Sequence, residues 1–238
     1  MRRIKLIALG AMLGFATLLP GTAFADFIPL PVKWSQPIGF TNGPTIIGAD
    51  RLSDDTVPWI MADDFICLDP APVKAVRWWG SYIGDATQRA DSTGFAVPFD
   101  ISFHASTGAH PNSRPGVVLY LQPVLAQEVF VGVDQTGDFV YRYDAYLPVD
   151  FIQIPGTEYF LDIDKPSGEN WGWHDATLPH PRLDWAAFSP VGHGGPWFTF
   201  QTPRTDLAFE IMIPEPSSGV LAAIGGGLLL AFALKRRV

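Results

Sequence analysis

Cys67 is the only cysteine in the chain, so no disulfide can form within one molecule even in a compartment that would permit it. Stability must come from packing or from bound ions. Lying between Ile66 and Leu68, Cys67 reads as an inert buried thiol rather than an intermolecular bridge or a nucleophile. A sustained helical period of apolar residues is also missing between residues 26 and 213, where Gly or Pro falls every few positions, which excludes a helical bundle. There is no internal repeat and no low-complexity tract. The chain has no Gly-x-Ser-x-Gly elbow, no His-Glu-x-x-His helix, no phosphate loop and no Gly-x-Gly-x-x-Gly turn, so the motif-borne hydrolases, metalloproteases and nucleotide enzymes have no foothold.

Positive charge is scarce. Of the 16 Lys and Arg residues, six (Arg2, Arg3, Lys5, Lys235, Arg236 and Arg237) lie at the two ends. With Glu215 also set aside, residues 26–213 keep 10 basic against 23 acidic side chains, a net charge near −13. Such a surface repels nucleic acid and anionic lipid and attracts cations or basic partners. These 188 residues are enough for one domain with one core.

The ends carry the clearest patterns. Arg2, Arg3 and Lys5 precede an apolar run from Leu6 to Leu19, and Ala23-Phe24-Ala25 follows. A basic start, a short apolar stretch and small residues for a peptidase predict a secretory signal peptide over 1–25, leaving Asp26 as the first mature residue. At the other end Pro214-Glu215-Pro216 precedes an uncharged apolar segment, Val220 to Leu234, and then Lys235-Arg236-Arg237. Counted from Ser217 or Ser218, the segment reaches the roughly 17 residues that a spanning helix needs at minimum. The basic cluster belongs on the cytoplasmic side, so the preceding domain faces outward. An ordinary single-pass anchor accounts for these features.

The three-part order also resembles the PEP-CTERM sorting signal of certain Gram-negative bacteria, over about 25 residues. The resemblance implies an exosortase as partner, with Pro214, Glu215 and Pro216 as recognition residues, cleavage near the motif, and association with extracellular polysaccharide and biofilm. A second resemblance spans residues 32 to 212. Lys33-Trp34-Ser35-Gln36-Pro37, Ala62-Asp63-Asp64-Phe65, Trp78-Trp79-Gly80-Ser81-Tyr82, Asn170-Trp171-Gly172-Trp173-His174, Asp184-Trp185-Ala186-Ala187 and Asp206-Leu207-Ala208-Phe209-Glu210 are similar to an uncharacterised β-domain of PEP-CTERM and related exported proteins. That family has no established activity to transfer.

Between the ends, alternation at period two predicts strands. Phe99, Ile101 and Phe103 alternate with Asp100, Ser102 and His104. Tyr159, Leu161 and Ile163 alternate with Glu158, Phe160 and Asp162, and Leu207, Phe209, Ile211 and Ile213 with Glu210 and Met212. Further strands are expected over 73–79, 117–121, 129–133, 139–143 and 197–201. About eight short strands with turn-rich loops and no crossover helices predict an all-β antiparallel sandwich of jelly-roll type, with a barrel as the alternative.

Eight Trp residues allow two readings. Trp171, Trp173, Trp185 and Trp197 form a carbohydrate platform, as in a lectin-like or glycan-hydrolysing module, or they plug the ends of the fold. Trp78 and Trp79, adjacent on a strand, point to opposite faces. Asp54-Asp55, Asp63-Asp64, and Asp162 and Asp164 with Glu169 supply hard oxygen ligands for a structural calcium ion, or cap their own turns. His174, His180 and His193 with Asp175 and Asp184 make a conceivable zinc or catalytic cluster, against a reading as exposed loop histidines. His104 and His110 carry no further signal. A glycosidase would need two carboxylates facing one cleft, which Asp63 and Asp64 cannot provide as strand neighbours. The sequence reads best as a non-enzymatic exported surface or matrix protein without a cofactor.

Overall fold

A computed structural model describes residues 27–57, 59–84, 93–110, 112–166, 169–177, 185–200 and 205–215. The expected signal peptide, Pro216 and the apolar and basic tail lie outside these residues. Pro214 and Glu215 follow the last strand in irregular chain. Among the described residues no helix is long and apolar enough to cross a membrane.

The described regular elements are strands: β1 (Val32–Gln36), β2 (Gly39–Phe40), β3 (Thr45–Ile47), β4 (Asp50–Leu52), β5 (Ile60–Ile66), β6 (Val73–Tyr82), β7 (Thr93–Thr107), β8 (Arg114–Asp134), β9 (Phe139–Phe151), β10 (Glu158–Asp164), β11 (Trp171–His174), β12 (Ala187–Ser189), β13 (Phe198–Thr199) and β14 (Phe209–Met212). They join into one sheet in the order β1-β14-β6-β9-β8-β7-β10-β5-β12-β13, with β11 pairing β4 and β6, and the β2–β3 pair attached to β8. The fold is all-β, and its ladders are antiparallel apart from β3 with β8.

The sheet curls on itself. Phe65 on β5 and Phe209 on β14 are six strands apart in the order, which in a flat sheet would place them about 29 Å apart at roughly 4.8 Å per strand. Their rings stand 6.2 Å apart. The curl encloses a core in which Trp78, Phe99, Phe103, Tyr143, Phe151 and Trp171 meet edge to face or stacked, with Phe103 on β7 lying flat against Phe151 on β9 at 4.3 Å. The strands β8 and β9 pair from Gln127–Asp144 to Val133–Phe139 and no further. Beyond Gln127 the Arg114–Ala126 half of β8 follows β7 alone. Its partner β9 continues along β6 instead.

The alternation read in the sequence gives the faces correctly. Phe99, Ile101, Phe103, Leu161 and Ile163 are buried in the core. Their alternating neighbours Ser102, His104, Phe160 and Asp162 are fully buried too, because the segment carrying β12 and β13 folds over the outer face of β5, β10 and β7. Trp78 and Trp79 do point to opposite sides, Trp78 into the main core and Trp79 among Ile38, Ile46, Val140 and Ala208. Cys67 is buried in the main core, where burial pushes its thiol upward from its ordinary range.

Two expected strands, 117–121 and 129–133, are stretches of the single 21-residue strand β8. Pro123 between them lies where β8 pairs on one side only, so its missing N–H interrupts no second ladder. The strand expected over 197–201 shortens to β13. The strand β5, with Ile60 to Phe65 all buried, escaped the alternation test because Ile60-Met61-Ala62-Asp63-Asp64-Phe65-Ile66 does not alternate apolar with polar residues.

Candidate functional site

The motifs that resemble the exported β-domain meet in the interior. Gln36, just inside the end of β1, donates from Nε2 to Asp63 Oδ2 at 2.6 Å and to the Leu207 carbonyl at 2.7 Å, while the Leu207 N–H donates to the same Asp63 oxygen at 2.6 Å. The Asp64 N–H satisfies Asp63 Oδ1 at 3.0 Å. Burial first, and then the charges of Asp206 and Asp64, push Asp63 well above the usual carboxylate range. Three segments far apart in sequence are thereby pinned at one point with no solvent access. This is an architectural contact, and its atoms are consumed by one another.

A second pin lies at β11. Both ring nitrogens of the fully buried His174 face acceptors, Asp50 Oδ1 at 3.1 Å from Nδ1 and the Ile47 carbonyl at 3.2 Å from Nε2. Only an imidazolium can donate to both. Burial opposes that charge, but the hydrogen bond and charge of Asp50 outweigh it and raise the His174 pKa. Asp134 completes a group with Asp50 and His174, yet its Oδ1 already caps the following turn through the N–H groups of Thr136, Gly137 and Asp138. Asp54 behaves likewise toward Thr56 and Asn170. Asp134 and Asp54 thus cap turns, and of the two only Asp54 was among the acidic residues considered from the sequence.

The third cluster is different. Antiparallel register sets Asp162 of β10 opposite Ser102 of β7, and Asp164 opposite Asp100. These residues share the outer face of the curl, and the loop after β12 lays His193 across them. That loop is fixed by the left-handed Gly192 (φ 94°), whose carbonyl accepts both the Ser189 hydroxyl at 2.7 Å and the Gly195 N–H at 3.1 Å. Glycine takes that backbone conformation without a Cβ penalty. Trp197 roofs the cluster, packing with Ile60, Ala62, Phe160 and Ala187 and standing edge-on to His104 at 5.3 Å.

Within the cluster Asp162 is saturated. Its Oδ2 accepts from the Ser102 hydroxyl at 2.6 Å and stands 2.5 Å from His104 Nε2, while its Oδ1 stands 3.0 Å from His193 Nδ1. Burial alone would raise its pKa, but the hydrogen bonds of His104 and His193 win and lower it to about 2. Asp164 is equally buried, and neither carboxylate oxygen has a hydrogen-bond partner. His193 Nε2 stands 3.3 Å from its Oδ1. Burial, reinforced by the charges of Asp162, Asp100 and Asp55 against that of His193, pushes Asp164 up to about 8. For His193 burial works downward, yet Asp162, Asp164 and Asp100 raise it to about 9. Asp100 too is raised, mainly by burial.

Other sequence candidates separate. Glu169, grouped with Asp162 and Asp164 as a calcium set, is exposed and pairs with Lys165 at 2.9 Å; it is not in the group that holds Asp164. His174 and His193 enter different clusters, and His180 and Asp184 lie outside the described residues. His110 is exposed. Trp171 and Trp173 are fully buried, Trp197 is 6% exposed, and Trp185 is half-buried. Trp171, Trp173 and Trp197 thus pack inward and present no open ring face on the described surface. Sequence reasoning grouped Asp162 with Asp164 and noted His193, but it missed Asp100. The period-two spacing of Asp100, Ser102 and His104 was the available signal, since it places all three on one face.

The fold and the packed motifs define an all-β antiparallel domain. The family described as domain of unknown function DUF7901 matches residues 32–212, and the chain belongs to that family. No curated protein matches the chain.

Proposed function

We propose that this is an exported, non-enzymatic surface or extracellular-matrix protein whose C-terminal tail is a sorting signal for an exosortase, and which accompanies extracellular polysaccharide. The observation that carries the reading is the order of Pro214-Glu215-Pro216, the uncharged segment Val220 to Leu234, and Lys235-Arg236-Arg237, together with the signal-peptide pattern over 1–25. Signal peptidase and exosortase are the implied partners, with the membrane as a transient one through the tail. The acidic surface argues against nucleic acid. Burial of Trp171, Trp173 and Trp197 favours a structural role over a lectin-like or hydrolytic one, and the buried Ser102–His104–Asp162 contact offers no serine that a substrate could reach. The flat packing of Phe103 on β7 against Phe151 on β9 supports describing the curl as a sandwich of jelly-roll type.

The test is substitution of Pro214, Glu215 and Pro216 by Ala in the native host, followed by fractionation. The natural chain is expected at the cell surface or in the matrix, and the variant is expected to stay in the inner membrane. Equal distribution of the two would contradict the sorting role.

A further inference from the structure

We infer that Asp100, Asp164 and His193 form a binding site for one divalent transition-metal ion, zinc being the best match, which fastens the loop after β12 to the outer face of β7 and β10. One ligand atom from each of the three residues lies within 4.8 Å of the others. Asp164 supplies the independent sign of a missing ligand. Its carboxylate is fully buried, both oxygens lack a hydrogen-bond donor, and it is aimed at the other two groups. Buried polar groups left without partners are rare and call for an occupant.

The geometry around His193 fits a metal ligand. Its Nδ1 is engaged by Asp162 at 3.0 Å, and Asp162 is itself held by Ser102 and His104. A carboxylate behind one ring nitrogen fixes the tautomer and leaves the other nitrogen to bind metal. That other nitrogen, Nε2, stands 3.3 Å from Asp164 Oδ1. Two donors bonded at 2.0–2.1 Å to one tetrahedral ion are about 3.3 Å apart. Two carboxylates and an imidazole suit zinc or its neighbours in the first transition row better than calcium, which prefers oxygen alone. The His193 side chain is 20% exposed, which gives the ion an entry path and leaves a fourth position for water. In the Asp50–Asp134–His174 group Asp134 Oδ2 is also buried without a partner, but both ring nitrogens of His174 are already engaged, so no imidazole nitrogen is left for an ion.

The test is calorimetric titration of the full chain, purified in detergent without a histidine tag and stripped of metal, with zinc and separately with calcium. The site predicts one equivalent of zinc bound, a higher unfolding temperature on binding, and weaker calcium binding. The variants Asp164→Asn and His193→Gln are expected to weaken zinc binding by more than about 100-fold, and Asp162→Asn by roughly 10–100-fold. Circular dichroism of the metal-free variants checks that they fold. Asp164→Asn keeps the volume of a buried side chain, and His193→Gln changes a partly exposed one. Absence of saturable zinc binding by the natural chain, preference for calcium, or zinc binding unchanged in both folded ligand variants would overturn the proposal.

Discussion

At the scale of single residues, the interior is organised by polar side chains whose partners come from distant strands. His174 shows how such a pin responds to pH. Its folded-state pKa is raised because Asp50 and the Ile47 carbonyl both need a donated proton. A raised histidine contributes stability that is fully present below its unfolded value of about 6.5 and is lost as pH rises through the folded value. The stability difference between the natural chain and His174→Gln, measured by urea unfolding, is therefore expected to be largest at pH 6 and to shrink at higher pH. The slope cannot exceed about 1.4 kcal/mol per pH unit for one proton. A difference that grows with pH would contradict the assignment of both ring nitrogens as donors. Little of this was legible beforehand: the sequence shows that His174 is near Asp175, whereas the charge that decides its state belongs to Asp50 on β4. Linear spacing carries no information on such cross-strand neighbours.

At the scale of elements, alternation identified the strands whose apolar residues recur at period two, even where both faces are buried as in β10, and missed those whose sequence does not alternate. The strands β7, β10 and β14 were legible because Phe99, Leu161 and Ile211 recur at period two. In contrast β5, with Asp63 and Asp64 buried beside Ala62 and Phe65, shows no alternation, and only the pair Asp63-Asp64 was read as strand neighbours. Close approach of elements was also invisible. Strand β11 packs so tightly on β6 that a Cβ on Gly80 would fall 2.3 Å from the Gly172 carbonyl and 2.4 Å from the Trp171 ring. A strand glycine marks this kind of backbone approach. Gly80→Ala is expected to cost about 3 kcal/mol through overpacking, read by chemical denaturation, with a changed near-ultraviolet signal from Trp171. Leu119→Ser on the outward face of β8, where Leu119 is 49% exposed, should stay within about 0.5 kcal/mol of the natural chain. Equal effects from the two substitutions would contradict the placement of β11.

At the scale of the whole molecule, an acidic domain without disulfides is held by a sheet that curls until β5 and β14, six strands apart in its order, pack together, and the family match covers residues 32–212. The all-β class was legible from composition and period. The curl was not, because it depends on contacts such as Phe65 with Phe209 that join strands six apart in the order. The domain explains stability, and the chain ends carry the case for function. The most direct measurement is the intact mass of the protein recovered from its native host. The account predicts a chain that begins at Asp26 and ends near Pro214-Glu215-Pro216, recovered from the surface or the matrix. A mass corresponding to a C-terminus at Val238, found in the inner membrane, would contradict it and leave a plain anchored domain.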